Sequence, residues 1–342
     1  MREIYRILDA NFNRAREAIR VAEDCGRFAL NDPAITQMAK NLRSELQEIY
    51  VAMPVAEMLT SRDTPGDIGT GITSPTEPRR SGLAEVATAA CKRLTEALRT
   101  IEEYAKFVAP EQAIRIERSR YDAYTLEQRL MGKLHAATQF ADVRLYVLIS
   151  SRLCRGSVRE TARAAISGGA DAIQLREKNI CDAEFLAMAA EMRELTDDMG
   201  KLLIINDRAD IAAIVAADGV HLGQGDLPVA EVRRLLRPGA IVGRSTHTIE
   251  QSHGAANEGV DYVSVGPMFP TTTKDAGPIA GPALLKQASA EISLPIVPIG
   301  GINADTVGQL VAAGAKRVAV SSAICSADDP QAAAEKIRRL LP

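Results

Sequence analysis

The chain has 342 residues, of which 46% are hydrophobic and 25% charged, with a formal net charge of −3. At about 100–200 residues per domain that length accommodates two domains, each able to bury a core. The balanced charge leaves no electrostatic footprint for nucleic acid or an acidic membrane surface, and with no Trp and only 4% aromatics a base-stacking platform is not expected.

From Asp9 to about Ala136 the pattern is helical. Asn13–Phe28 (NRAREAIRVAEDCGRF) returns as Lys92–Phe107 (KRLTEALRTIEEYAKF). Arg14, Glu17, Ala18, Arg20, Glu23 and Phe28 match Arg93, Glu96, Ala97, Arg99, Glu102 and Phe107 at an offset of 79. Two similar helices predict a pseudo-symmetric bundle. Asn11, Asn13, Arg14 and Arg16 read as a cluster at a helix start, where anions are favoured. From Ala34 to Met53, the residues Ile35, Met38, Leu42, Leu46 and Ile49 form one apolar stripe. Ser61–Gly82 is rich in Gly, Pro, Thr and Asp and reads as loop. Within it, Arg62–Gly71 offers hydroxyls, glycines and carboxylates suited to phosphate or metal, without being a Walker loop. Glu111–His135 reads as a further long helix. The helical domain is expected to span 1–138, with the boundary near Thr138–Asp142.

After Val143 short β-rich runs alternate with helical stretches: RLYVLIS, DAIQL, LLIIN, GVHLG, AIVGRS, YVSVG, PIVPIG and RVAVS. Strand–helix alternation argues for parallel βαβ units, and eight of them close into a (β/α)8 TIM barrel spanning 143–342. The expected fold class is therefore α/β, a barrel preceded by an all-α domain. A doubly wound open sheet is the competing architecture. The cysteines Cys25, Cys91, Cys154, Cys181 and Cys325 are widely spaced without a CxxC, and read as small core residues in a reducing compartment. With no 18-residue apolar run and no apolar leader, a cytoplasmic chain is expected.

Polar residues follow each strand. They are Gln174–Lys178 after the second, Asn206–Arg208 after the third, His221–Asp226 after the fourth, and Gly243–Thr248 after the fifth. Gly266–Lys274 follows the sixth, Gly300–Asn303 the seventh and Ser321–Ile324 the eighth. In a barrel these loops share one face. The inventory of cations, hydroxyls, glycine turns and two aspartates contains no Ser–His–Asp arrangement. Asp207 and Asp226 end adjacent strands and could face one hard cation. Gly301 and Ser321–Ser322 sit where many barrels bind phosphate. The residues alone point to a Mg2+-dependent enzyme with two phosphate subsites. Taken singly, Asp207 could instead cap a helix, Arg176 and Lys178 could be solvated charges, and His221 reads as a packed strand-end residue. His247 and His253 read as polar surface or helix-start residues.

QLREK, the IND triplet, the GQxD-L-P run, GxSTHT, GPxFPTxTK, the IGGI turn and SSAI resemble the motifs of thiamine phosphate synthases, in that family's order, over about Arg144–Leu340. The resemblance implies a transferase that joins a pyrimidine diphosphate to a thiazole phosphate with Mg2+ as cofactor. It implies that Gln174, Leu175, Arg176, Glu177, Lys178 and Asn206 hold the aminopyrimidine and its diphosphate. Asp207 and Asp226 would bind the metal, and Ser245 and Lys274 would contact diphosphate. Thr271, Thr273, Gly301, Ser321 and Ser322 would receive the thiazole phosphate. Arg176, Lys178, Lys274 and Ser245 would act on the leaving group. The partners implied are these small molecules, with no nucleic acid and no membrane; homo-oligomers are compatible with the composition. A non-catalytic thiazole-phosphate-binding regulator and an isomerase barrel are the competing functions.

RILDANFNRAREAIRVAEDCGRF, SRDTPGDIGT and KRLTEALRTIEEYAKF resemble a helical domain fused to some thiamine phosphate synthases and linked to phosphorylation of hydroxymethylpyrimidine phosphate. A structural or oligomerising helical cap is the alternative.

Overall fold

The computed structural model describes residues 1–71, 80–271 and 279–342. It divides into two compact units, Met1–Leu134 and His135–Pro342. Among the described residues no helix is long and apolar enough to cross a membrane.

The first unit is helical: α1 (Arg2–Asp24), α2 (Pro33–Val51), α3 (Val55–Thr60), α4 (Leu83–Val108) and α5 (Pro110–Ala141), the last continuing into the second unit. Leu8, Phe12, Ala15, Ile19 and Ala22 of α1 meet Leu94, Ala97, Leu98 and Ile101 of α4 in one buried cluster. The sequence repeat has a packing counterpart. Glu23 of α1 is buried and accepts from Arg43 of α2 at 3.0 Å; its repeat mate Glu102 is buried and accepts from Arg120 of α5 at 2.8 Å. The in-helix arginines Arg20 and Arg99 complete the two clusters at 3.5 and 2.7 Å. A buried carboxylate is tolerable only with such a partner.

The second unit is built on eight parallel strands: β1 (Leu145–Ile149), β2 (Ala172–Leu175), β3 (Leu202–Asn206), β4 (Gly219–Leu222), β5 (Ile241–Thr246), β6 (Tyr262–Val265), β7 (Ile296–Pro298) and β8 (Val318–Val320). Each pairs with its neighbours in chain order, β1 also pairs β8, and a parallel bridge from Ile299 to Ala319 brings the last edge round. The order contains no reversal, so the architecture is the barrel and not the open sheet. Alternation along each strand sorts the side chains. Leu145, Val147 and Ile149 pack outward against the helices, whereas Tyr146 belongs to a separate interior cluster with Ala172, Ile204, Ile241, Tyr262, Val297 and Ala319. Phe140, near the end of α5, joins that interior cluster and stacks on Tyr262 at 4.3 Å.

At the opposite end from the strand C-termini, one device recurs. Asp171, Asp218 and Asp261 immediately precede β2, β4 and β6, and their carboxylates accept backbone N–H bonds from Leu145, Leu203 and Val242 of the preceding strands. Each carboxylate also has a basic partner: Lys201, Arg193 and Arg233. These groups fix strand register and leave the chemistry to the other rim.

Candidate active site at the C-terminal rim of the barrel

A cavity of about 950 Å3 opens at the C-terminal ends of the strands. On the β2–β5 side it is lined by Gln174, Arg176, Lys178, Asn206, Asp207, His221, Asp226 and Ser245. On the β6–β8 and β1 side lie Thr271, Gly301, Ser321 and Ser322. Eleven of the residues expected to bind ligand or metal therefore meet at one cavity: these twelve without His221. Two others do not line it. Leu175 faces outward into the strand–helix core, because it alternates with the inward Gln174. Glu177 is buried and accepts from the Ser151 amide at 2.5 Å and the Ser151 hydroxyl at 2.9 Å, which ties it to the loop after β1. Thr273 and Lys274 lie outside the described residues.

Asp207 adopts a left-handed backbone, φ 61°, unusual for a non-glycine residue. This conformation ends β3 sharply and presents the carboxylate to Lys178 Nζ at 2.7 Å. Its side chain does not cap the following helix, Ala209–Ile214, whose N-terminal flanking residue Arg208 makes no side-chain cap either. Asp207 and Asp226 also contact each other. Burial pushes Asp207 up, but Lys178 and the hydrogen bond with Asp226 outweigh it and hold this carboxyl below its ordinary range. Burial and the adjoining Asp207 hold Asp226 above it. Two carboxylates in contact with one ammonium partner form a site that a small dication would balance. Among the described residues no group of three or more His, Cys, Asp or Glu could form a metal cage. Two carboxylates completed by phosphate oxygens is instead a Mg2+ pattern.

On the other side, Gly300 (φ 98°) and Gly301 (φ 66°) turn the chain back after β7. A Cβ on Gly301 would lie 2.5 Å from the Pro270 carbonyl oxygen. The Ser321 hydroxyl donates to the Leu148 carbonyl at 2.9 Å and so fixes the turn after β8.

The model of the family described as thiamine monophosphate synthase matches residues 145–324. The model of the ThiD2 family matches residues 6–129. The thiamine-phosphate synthase of Nostoc punctiforme is 40% identical over 327 residues, 96% of this chain and 91% of that protein. That of Rhodopirellula baltica is 37% identical, over 99% of this chain and 93% of that protein. The chain belongs to the thiamine phosphate synthase family. The solved thiamine phosphate pyrophosphorylase of Pyrococcus furiosus is 33% identical with a TM-score of 0.54, covering 60% of this chain and 96% of that one. The thiamine phosphate synthase fold thus accounts for the barrel alone, whereas the Nostoc and Rhodopirellula relatives extend over the helical unit as well.

His221 is the packed strand-end residue expected of it and also faces the cavity. It is buried, lines the cavity, and bonds through both ring nitrogens: Nδ1 to Tyr262 Oη at 2.8 Å, Nε2 to Ser245 Oγ at 2.9 Å. Inward-facing polar residues in otherwise apolar strands, Tyr146, Gln174, His221 and Ser264, were the available signal. His247 lines the cavity too and bonds the Gly266 carbonyl through Nδ1 at 2.6 Å, while His253 is an exposed partner of Glu291. Cys25, Cys91 and Cys325 are buried as expected of core thiols, Cys154 is half-buried, and Cys181 is exposed.

In the helical unit, Asn11, Asn13, Arg14 and Arg16 do not begin a helix. α1 starts at Arg2, so their amides are already within the helix, and the side chains of Asn11 and Asn13 donate back to the carbonyls of Ile7 and Asp9. Arg62 of the Ser61–Gly82 loop is taken up by buried Asp9 in a two-point pair of 2.7 Å each. The basic side chains Arg16, Arg20, Lys40 and Arg43 instead line a groove of about 550 Å3 between α1 and α2.

Proposed function

We propose that the barrel joins a 5-(diphosphooxymethyl)-4-aminopyrimidine to a thiazole phosphate. The C–O bond to diphosphate breaks with its electron pair leaving on oxygen, and the thiazole nitrogen lone pair forms the new C–N bond. The products are thiamine phosphate and diphosphate. The observation that carries the reading is the division of one cavity into a Lys178–Asp207–Asp226 cluster and a facing rim of hydroxyls and glycine turns.

Asp207 and Asp226 would hold Mg2+, which when bound neutralises charge on the diphosphate. Arg176, which has no ion-pair partner among the described residues, and Lys178 supply further positive charge at the leaving group. The Ser245 hydroxyl donates to the same group. Gln174, Leu175, Glu177 and Asn206 set the pyrimidine subsite, the first and last by contact and the other two by holding the β2 end. Thr271, Gly301, Ser321 and Ser322 take the thiazole phosphate; by the family resemblance Thr273 joins them and Lys274 contacts the diphosphate. Holding two rings in one orientation supplies much of the acceleration, and no strong general base is needed because no proton is abstracted.

The test is direct. The full chain is mixed with the pyrimidine diphosphate, thiazole phosphate and Mg2+, and thiamine phosphate and diphosphate are measured. Both should appear in equal amounts and vanish with a chelator. No product overturns the reading, and undiminished turnover in chelator removes the metal from it.

For the helical unit, the ThiD2 match and the Arg16–Arg20–Lys40–Arg43 groove support a second reading, a kinase for the pyrimidine monophosphate. The full chain should convert that monophosphate to the diphosphate with ATP, and Lys40→Ala should slow this step alone. Absence of ATP-dependent conversion leaves a structural cap.

A further inference from the structure

Beneath the cavity five side chains from five strands form an unbroken hydrogen-bonded line. Gln174 Nε2 donates to Tyr146 Oη at 2.7 Å, Tyr146 Oη meets Tyr262 Oη at 2.9 Å, and Tyr262 Oη meets His221 Nδ1 at 2.8 Å. His221 Nε2 then meets Ser245 Oγ at 2.9 Å. The two tyrosines are 1% and 0% exposed, so solvent cannot satisfy their hydroxyls. Burial also raises both phenols well above their ordinary range, and each keeps its single proton.

With Gln174 placed so that its Nε2 faces Tyr146, the direction of the other bonds follows by counting protons. Gln174 Nε2 can only donate, so Tyr146 Oη accepts there. Tyr146 has one other partner in the structure, Tyr262, and a buried hydroxyl hydrogen is not left without an acceptor. Tyr146 therefore donates to Tyr262. The Tyr262 hydrogen must then go to His221 Nδ1, which makes that nitrogen an acceptor. The ring is neutral with its proton on Nε2, and Nε2 donates to Ser245 Oγ at 2.9 Å, with Ser264 Oγ a longer second acceptor at 3.4 Å. With its oxygen accepting, the Ser245 hydrogen is directed away from His221. With the amide so placed, the reverse direction, or a charged imidazolium, would strand the Tyr146 hydrogen in the barrel interior.

We infer that Tyr146, Tyr262 and His221 are positioning residues that carry the amide orientation of Gln174 to Ser245 and make its hydroxyl an obligate hydrogen-bond donor to the leaving diphosphate. The role of the endpoints rests on the proposed reaction; the direction of the chain does not. Gln174 Oε1 is buried without a protein partner, so it is placed to accept from a ligand N–H such as the exocyclic amine of the pyrimidine. An amine there locks the amide, and the amide sets the donor 24 residues past His221 in sequence but one side chain away in space. Ring recognition and leaving-group stabilisation are thereby linked before chemistry begins, which is the preorganisation that stabilises developing charge without rearrangement. Gly243 belongs to the same device: a Cβ there would fall on the Tyr262 ring.

The first measurement needs no substrate. Among four histidines, His221 is assigned by the signal lost in His221→Gln, and long-range 1H–15N correlation reads its tautomer in the full-length protein. A neutral ring protonated on Nε2 is expected, with the Nδ1 signal shifting in Tyr262→Phe. A proton on Nδ1, or on both nitrogens, overturns the direction of the chain. The second measurement is kinetic. Tyr262→Phe should lower kcat about tenfold, the size of one hydrogen bond, with KM for thiazole phosphate unchanged. In a Ser245→Ala background the same substitution should cost less than about twofold. A full additional tenfold loss in that background overturns the action through Ser245, even where the coupling reaction itself is confirmed.

Discussion

The helical unit and the barrel use the same kinds of buried charge to opposite ends. In the helical unit each buried carboxylate is matched by a basic side chain from elsewhere in the unit: Asp9 by Arg62, Glu23 by Arg43, Glu102 by Arg120 and Asp32 by Lys133. These pairs are closed and hold the helices together. At the C-terminal rim of the barrel, Asp207 and Asp226 share one lysine between them, and Arg176 has no ion-pair partner among the described residues. Their incomplete pairing is what makes them available. The barrel contains its own control, since Asp171, Asp218 and Asp261 at the other rim are paired as fully as any carboxylate of the helical unit. Closed pairs hold the fold, and open ones face the cavity.

The strongest way to break this comparison is to open a closed pair. Glu102→Ala leaves Arg120 buried without its main partner and should cost about 3–5 kcal/mol in denaturant unfolding, with coupling at the barrel retained. A loss below about 1 kcal/mol would place the pair among exposed ones and blur the distinction. The mirror experiment removes an open charge. Asp207→Asn should lower kcat/KM for coupling by about 10²–10³-fold while leaving the unfolding midpoint within experimental scatter, because no closed network loses a member. A large stability loss with activity kept would reverse the assignment.

The smallest effect belongs to the exposed pairs. The Arg208 hydrogen bond holds Asp210 below the usual carboxylate range, with the two in contact at 2.7 Å. A lowered carboxylate contributes stability above the ordinary aspartate pKa of about 4 and loses it as pH falls through the lowered value. Asp210→Asn should therefore cost below about 1 kcal/mol at pH 7, and the difference from wild type should shrink toward pH 3 in urea titrations. A difference that grows in acid would give the pair the wrong sign.

The sequence by itself determined the periodicities. The 3.6-residue stripe of α2, the 79-residue repeat, the eight apolar runs and the polar residues that follow them required no coordinates, because local spacing fixes element type and face. It also carried the ordered motifs that place the chain in its family. Where α1 begins was missed: Ile4, Leu8 and Phe12 recur at helical spacing from its first turn, but no capping side chain marks the start. The Asn11–Arg16 cluster was consequently read at a helix start it does not occupy. Tertiary structure alone decided that Leu175 and Glu177 turn away from the cavity their neighbours line. It alone decided that five residues spread from Tyr146 to Tyr262 meet in one line. Those facts depend on barrel closure, which brings inward positions of distant strands within 3 Å of one another. A single strand's sequence records which residues face inward, but the partner each one meets across the barrel is set only when the sheet closes.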